Sequence, residues 1–301
     1  MNKIPVLFLI YNRPETTREV FNTIKQYRPL ELYIASDGPN ENKFDDKKWV
    51  SNTIRITSEI GWKCRVKRLH RNKHLGCKKA VSGAINWFFD NIERGIVLED
   101  DTLPEKSFFD FAQAMLSKYG NDEKIMHIGG NNFQPRKNKI PGGYYFSKYA
   151  HVWGWASWRR AWKYYSADLD GWEKKENQKK IAEHSTSFWE KHYWEAIFNA
   201  VYQGKIDTWD YQWLYSIWKK GGVSICPGVN LVRNIGFGKN ATHTKKINDL
   251  IDIDSQKIQF PLKSPPRYVL KNIYDEYTTK NIFKASPKTV LYLKYKYGLK
   301  E

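Results

Sequence analysis

The chain has 301 residues, enough to bury a full hydrophobic core in one large domain or two smaller ones. Its net charge of +18 predicts attraction to polyanions, such as nucleic acid, anionic lipid or phosphate-bearing substrates. The three cysteines form no CxxC pair, which argues against a disulfide framework or a zinc site, and no apolar stretch reaches the length of a signal peptide or a membrane span. We therefore expect a cytoplasmic protein.

Short apolar strands alternate with amphipathic helices through the first hundred residues. The strands are predicted at 6–10, 32–35, 65–69 and 95–98. Pro14 is well placed to open the first helix, and a later helix has Val81, Ala84, Ile85 and Phe88 on one face. This alternation predicts an α/β fold with a mostly parallel central sheet flanked by helices. No glycine pattern of the P-loop or dinucleotide-binding type is present in the sequence.

Polar residues follow three of these strands. They are Tyr11-Asn12-Arg13, Asp37-Gly38 and Glu99-Asp100-Asp101. Ligands of open α/β sheets collect beyond the carboxyl ends of the strands, so we expect all three groups to face one crevice. Three adjacent carboxylates are hard ligands suited to Mg²⁺ or Mn²⁺, although an acidic turn capping the next helix is the alternative.

The second part of the chain is rich in tryptophan. A helix is predicted from Ser107, a strand at 125–128, a charged helical stretch at 173–205 and a strand at 222–227. Trp158 and Trp162 stand one helical turn apart and are expected to pack.

Two features of this second part are candidates for a site. Trp153 and Trp155 lie in a predicted loop, where they either form a platform for a sugar ring or pack in the core. Asp210 is flanked by aromatic residues, which favours partial desolvation and general-base chemistry, and it also fits a helix N-cap. His243 lies in a glycine-bearing loop.

From Lys263 onwards the chain has nine basic residues, three acids and six tyrosines. We predict a basic tail with short helices. Its composition suits the headgroup zone of an anionic membrane, which would make the protein peripheral on the inner face of the cytoplasmic membrane. A solvated appendage or an RNA-binding tail are the alternatives.

Residues 4–245 resemble GT-A (Rossmann-like) glycosyltransferases. The order of the three polar groups, with Asn72 to Lys79 between the second and third, is similar to their nucleotide-sugar-binding half. The Glu-Asp-Asp triplet resembles the form of the Asp-x-Asp motif in the N-acetylglucosaminyltransferase I group. The stretches at 153–159 and 209–213 resemble bacterial nucleotide-diphospho-sugar transferases of surface-polysaccharide clusters.

The resemblance implies a domain organisation. A glycosyltransferase domain at 1–245 would consist of a nucleotide-sugar-binding half at 1–130 and an acceptor half at 131–245, followed by a basic C-terminal extension at 246–301.

The resemblance also implies roles for particular residues. The nucleotide sugar, with UDP as the expected nucleotide, would be bound by Tyr11, Asn12, Arg13, Asp37, Glu99 and Asp100, with Lys79 (or Lys78) meeting the diphosphate. Asp101 would ligate Mn²⁺ or Mg²⁺, with His243 as a further ligand. Asp210 would be the general base of an inverting transfer, and Trp153 and Trp155 would face the sugar or the acceptor.

The expected activity is therefore metal-dependent, inverting transfer of a hexosyl or N-acetylhexosaminyl group to a hydroxyl of a glycan or lipid-linked acceptor. A nucleotidyltransferase that makes nucleotide sugars shares the fold and the metal, but it normally has a glycine-rich basic loop after the first strand. A nucleic-acid-binding protein fits the charge but leaves three acids at a strand end unexplained. A sugar-binding module would need neither Asp210 nor a metal.

Overall fold

The computed structural model describes residues 3–135, 140–236, 253–266, 268 and 272–299. These residues form ten strands: β1 (Val6–Ile10), β2 (Glu31–Ser36), β3 (Arg65–His70), β4 (Arg94–Glu99), β5 (Thr102–Pro104), β6 (Ile125–Gly129), β7 (Tyr144–Ser147), β8 (Trp155–Trp158), β9 (Val223–Pro227) and β10 (Val232–Asn234). They also form ten α-helices: α1 (Pro14–Tyr27), α2 (Asp46–Ile56), α3 (Gly76–Asn91), α4 (Ser107–Lys118), α5 (Arg159–Trp162), α6 (Lys175–Ala182), α7 (Phe188–Tyr202), α8 (Asp210–Lys219), α9 (Ile273–Tyr277) and α10 (Pro287–Tyr297). A 3₁₀ turn (Pro141–Gly143) and a π-helical turn (Thr278–Ile282) complete the elements.

Eight strands form one central sheet in the order β3-β2-β1-β4-β8-β6-β9-β7. The pairs β3–β2, β2–β1, β1–β4 and β6–β9 are parallel, whereas β8 and β7 run antiparallel to their neighbours. Strands β5 and β10 form a separate antiparallel ribbon. This mixed, mostly parallel sheet flanked by helices confirms the predicted α/β fold class and is compatible with a Rossmann-like fold.

The core lies on both faces of the sheet. Leu7 and Leu9 of β1 point into a cluster with α3, while Val6, Phe8 and Ile10 point into a second cluster with α1 and α4. Both faces of β1 are therefore buried, which explains why its sequence is a continuous apolar run instead of an alternating one.

Some elements differ from the sequence-based expectations. Helix α2 was not predicted, because its inward face is short and its surroundings are polar. Trp158 ends strand β8 and does not share a helix with Trp162, although both side chains are buried. The charged stretch at 173–205 forms two helices, α6 and α7.

The C-terminal segment, residues 272–299, packs onto the rest of the chain through a buried polar network. Its Asp275 accepts hydrogen bonds from the Ser147 hydroxyl and, at 3.1 Å, from the Lys148 amide. The Lys148 ammonium is fully buried and lies 2.6 Å from the Glu190 carboxylate, to which the Thr279 hydroxyl also donates. The segment is thus held in place by the same groups that neutralise a buried charge.

We expect Glu190→Gln to destabilise the fold by about 3–5 kcal/mol, because it leaves the buried Lys148 ammonium without its counter-charge. Denaturant unfolding measures the loss. Glu195→Gln is the matched control, since Glu195 pairs with Lys191 and His192 at the surface and should change the unfolding free energy by about 1 kcal/mol or less. Equal effects of the two variants would contradict this account of the network.

No helix in the described ranges combines the length and apolar character needed to cross a bilayer.

Candidate active site

The carboxyl ends of β1 and β4 meet at one edge of the sheet because the two strands are parallel and adjacent. The Tyr11 amide donates a hydrogen bond of 3.0 Å to the Asp100 carboxylate. The Arg13 guanidinium pairs with Asp101 and lies 3.6 Å from Asp100. The structure therefore brings the polar residues that follow these two strands into direct contact, at the place where open α/β sheets bind ligands.

The triplet at the end of β4 carries more negative charge than its surroundings balance. Burial, with repulsion from Asp101, raises the pKa of Asp100 to about 7, although Arg13 opposes the rise. Burial and then the charges of Asp101, Asp100 and Asp210 raise the pKa of Glu99 well above its usual range. Burial, which disfavours the charged form, is the main cause of each shift, and repulsion from the neighbouring carboxylates adds to it. A cation placed here would lower both pKa values.

Asp210 belongs to the same group of carboxylates. It is the first residue of α8, it is half-buried, and the Thr208 hydroxyl donates to it. Its charge acts on Glu99, as noted above. Burial, followed by the charges of Glu99, Asp210, Asp207 and Asp37, raises the pKa of the Cys77 thiol. Carboxylates from three separate segments thus lie near the start of α3.

Asp37 organises the loop that leads into α3. Its carboxylate accepts hydrogen bonds from the amides of Gly38 at 2.9 Å, Leu75 at 3.0 Å and Gly76 at 3.1 Å, and it lies 2.8 Å from the His74 ring. The resemblance implied that Asp37 would bind the nucleotide base, and no sequence pattern indicated these bonds. They fix the loop after β3 against the end of β2.

Tyr11 and Asn12 are held by a residue that sequence reasoning missed. The Tyr11 hydroxyl and the Asn12 side-chain amide each donate to the Asp46 carboxylate at 2.6 Å. Asp46 begins α2, and acidic residues are favoured in the first turn of a helix. The acidic pair Asp45-Asp46 ahead of an amphipathic stretch indicates the start of a helix, but it does not indicate the contact with Tyr11 and Asn12. The ring of His74, also unpredicted, stacks on Tyr11 with a centroid distance of 5.4 Å.

The two candidate platform tryptophans differ in burial. Trp155 is fully buried in β8, where its ring stacks on His127 and Trp209 at centroid distances of 5.3 and 5.7 Å. This placement fits the packing role that the sequence left open. Trp153 is half-buried beside Phe133, so it is the one of the two that is partly accessible to solvent.

The predicted basic residues lie on or near α3. Lys79 is exposed on this helix. The Lys78 ammonium lies 2.7 Å from Asp168, and its amide donates to Asp207 at 3.2 Å. His243 lies outside the described residues.

The carboxylate oxygens of the Glu99–Asp101 triplet are suitable ligands for a divalent cation. The cation would need further ligands from outside the triplet. Across the part of the chain that the structure describes, no group of three or more His, Cys, Asp or Glu side chains is arranged to hold a metal. Mg²⁺ commonly binds through one or two carboxylates together with substrate phosphates and water. The arrangement of Asp100 and Asp101 suits that mode better than a resident metal enclosed by protein ligands.

Backbone packing against Asp101 is tight. A Cβ atom at Gly236 would clash with the Asp101 carboxylate, and the Ile235 amide donates to the Asp101 carbonyl at 2.8 Å. Ile235 and Gly236, which follow β10, thereby help to fix the position of Asp101 beside Arg13.

Comparisons with known proteins identify no family for the chain. No family model matches it, and no curated protein sequence matches it. A solved structure described as the crystal structure of apo UDP-glucose pyrophosphorylase aligns over 75% of this chain and 90% of that chain, with 11% identity and a TM-score of 0.35. A likeness at that TM-score carries no argument about function.

Proposed function

We propose that this chain is a metal-dependent, inverting glycosyltransferase that moves a hexosyl or N-acetylhexosaminyl group from a UDP-sugar to a hydroxyl of a glycan or lipid-linked acceptor in surface-polysaccharide biosynthesis. The observation that carries the proposal is the contact of Arg13 with Asp100 and Asp101 at the carboxyl ends of β1 and β4, with Asp210 near enough for its charge to act on Glu99. The transfer needs positive charge beside the donor diphosphate and a base beside the acceptor hydroxyl. Both groups must lie close to the anomeric carbon of the donor sugar.

The donor half of the proposed site consists of Arg13, Asp100 and Asp101. A divalent cation held by Asp101 would stabilise the negative charge that grows on the departing nucleoside diphosphate. Arg13 already lies against both carboxylates, so its guanidinium is placed to bind a phosphate oxygen beside them. Tyr11 and Asn12, fixed by Asp46, would line the nucleotide, and Asp37 would hold the loop next to the base.

The acceptor half of the proposed site is built around Asp210. Its carboxylate would take the proton of the acceptor hydroxyl as that oxygen attacks the anomeric carbon. Direct attack opposite the leaving diphosphate inverts the anomeric configuration. Trp153 would offer an apolar surface to a sugar ring, and Lys79 would meet negative charge on the donor or acceptor.

Two assays separate this function from that of a nucleotidyltransferase. The proposal predicts release of UDP from UDP-sugars with Mn²⁺ present, increased by a glycan or lipid-linked acceptor. It also predicts no pyrophosphate release from UTP and a sugar 1-phosphate. Pyrophosphate release without UDP release would instead support the nucleotidyltransferase alternative.

The affinity for UDP with Mn²⁺ should depend on pH through Asp100. Because the pKa of Asp100 is raised to about 7, its carboxylate is mostly ionised at pH 8 and mostly protonated at pH 6. Only the ionised form attracts a cation, so we expect the affinity to fall about tenfold from pH 8 to pH 6. Calorimetric titrations at the two pH values measure this change. In Asp100→Asn the dependence should become weaker, leaving only the part due to Glu99 and to the terminal phosphate of UDP, and a flat profile in the unaltered protein would contradict the assignment.

A further inference from the structure

Helix α10 is apolar on two opposite sides. Val290 and Leu293 are buried against the core that contains α7, with 4% and 8% of their surface exposed. Leu291, Tyr292 and Tyr295 are exposed by 65%, 58% and 87%. At 3.6 residues per turn these three lie together on the side facing away from the core. The inner side is explained by packing, whereas the outer side is not.

Lysines border this outer side. Lys288 and Lys296 of α10 are exposed, and no acidic residue occurs between positions 280 and 299, although that stretch has five lysines. Together, Leu291, Tyr292, Tyr295, Lys288 and Lys296 are called the α10 outer face. It combines large apolar and amphipathic side chains with an unbalanced positive charge.

The charge of the α10 outer face limits what it can contact. A second copy of the chain would place lysines opposite lysines in a protein of net charge +18, so self-association is opposed by repulsion. An anionic lipid surface offers acidic headgroups that attract the lysines. It also offers an apolar region in which the exposed leucine and tyrosine side chains can be buried. Tyrosine rings favour the boundary between headgroups and acyl chains, where one end of the ring is apolar and the other is wet.

We propose that the α10 outer face docks the protein on an anionic lipid bilayer. The lysines contact acidic headgroups, while Leu291 and Tyr295 enter the headgroup boundary. Because α10 is anchored to the core by its inner side, and the preceding α9 by the buried network around Asp275, docking would fix the whole domain at the surface. This inference concerns a surface separate from the proposed active site and does not rest on the proposed function.

Vesicle flotation of the full chain tests the proposal. We expect the protein to float with vesicles of phosphatidylcholine containing roughly 30% phosphatidylglycerol and to stay behind with pure phosphatidylcholine. The variant Lys288→Gln with Lys296→Gln should weaken the partition about 30-fold. The variant Leu291→Ser with Tyr295→Ser should weaken it about tenfold or more.

Matched controls lie elsewhere on the surface. Lys179→Gln with Lys180→Gln removes two exposed lysines of α6, and Leu30→Ser removes a side chain that is 47% exposed. Both should leave flotation unchanged. All of these positions are exposed, so thermal unfolding midpoints should also stay unchanged. Deleting the whole segment is unsuitable, since it would remove Asp275 and Leu293 from the buried interior.

Several results would overturn the proposal. Absence of flotation with the anionic vesicles is one, and flotation that persists in both α10 variants is another. A dimer in sedimentation that Leu291→Ser with Tyr295→Ser abolishes would identify the face as a contact between copies. Binding of a random oligonucleotide that the same variants abolish, without vesicle binding, would identify nucleic acid as the partner.

Discussion

Asp210→Asn should retain donor binding and lose turnover by about 10²- to 10⁴-fold. The amide is nearly the same size as the carboxylate but cannot accept the proton of an attacking hydroxyl. The Thr208 hydroxyl can still donate to the amide oxygen, so the start of α8 should keep its geometry. Steady-state transfer rates give the loss, and calorimetry with UDP and Mn²⁺ checks that affinity is kept.

Asp207→Asn is the control for Asp210. Asp207 lies three residues earlier, is exposed, and accepts a hydrogen bond from the Lys78 amide, so its change alters a nearby charge without removing the proposed base. We expect its rate to stay within a few-fold of the unaltered protein. Transfer by Asp210→Asn at a near-normal rate would remove Asp210 from the mechanism, as would a product with retained anomeric configuration.

Asp101→Ala should abolish the binding of UDP that depends on Mn²⁺. Asp101 lies against Arg13 and beside the packed Gly236, so its carboxylate is fixed at the edge of the sheet. Removing it takes away the group proposed to ligate the cation and leaves Arg13 paired with Asp100 at 3.6 Å. The fold should therefore persist while the metal-dependent part of the affinity is lost.

Calorimetric titration of UDP with and without Mn²⁺ measures that loss. Asp90→Ala is the matched control, because it removes an exposed carboxylate at the end of α3, just before β4 begins, whereas Asp101 follows the other end of β4. Unchanged affinity of Asp101→Ala in the presence of Mn²⁺ would refute the role of Asp101.

The parts of the fold that were predictable have strong local signals. Strand β1 is apolar at every position because both of its faces are buried, and Pro14 begins α1 as expected for the first turn of a helix. The convergence of Arg13 with Asp100 and Asp101 follows from parallel pairing of β1 and β4, which the alternation of strands and helices already indicated.

Other parts depend on contacts that the sequence does not encode locally. Asp46 binds Tyr11 and Asn12 across more than thirty positions, and no pattern links them. The sequence predicts a loop at Trp155 because Gly154 precedes it. In the structure, Trp155 belongs to β8, and the antiparallel pairing of β8 with β4 and β6 buries it. The proposed domain boundary at residue 245 and the ligand role of His243 stay predictions.

Thermal unfolding of the unaltered protein with Mn²⁺, with UDP and with both together tests the central claim most directly. The claim is that the acids at the end of β4 hold a cation jointly with a nucleoside diphosphate. It predicts a rise in the unfolding midpoint with both ligands that clearly exceeds the sum of the rises with each alone, because a ligand that binds only the folded state stabilises it. A midpoint that the combination leaves unchanged, or a rise with UDP that is the same without Mn²⁺, would contradict the claim.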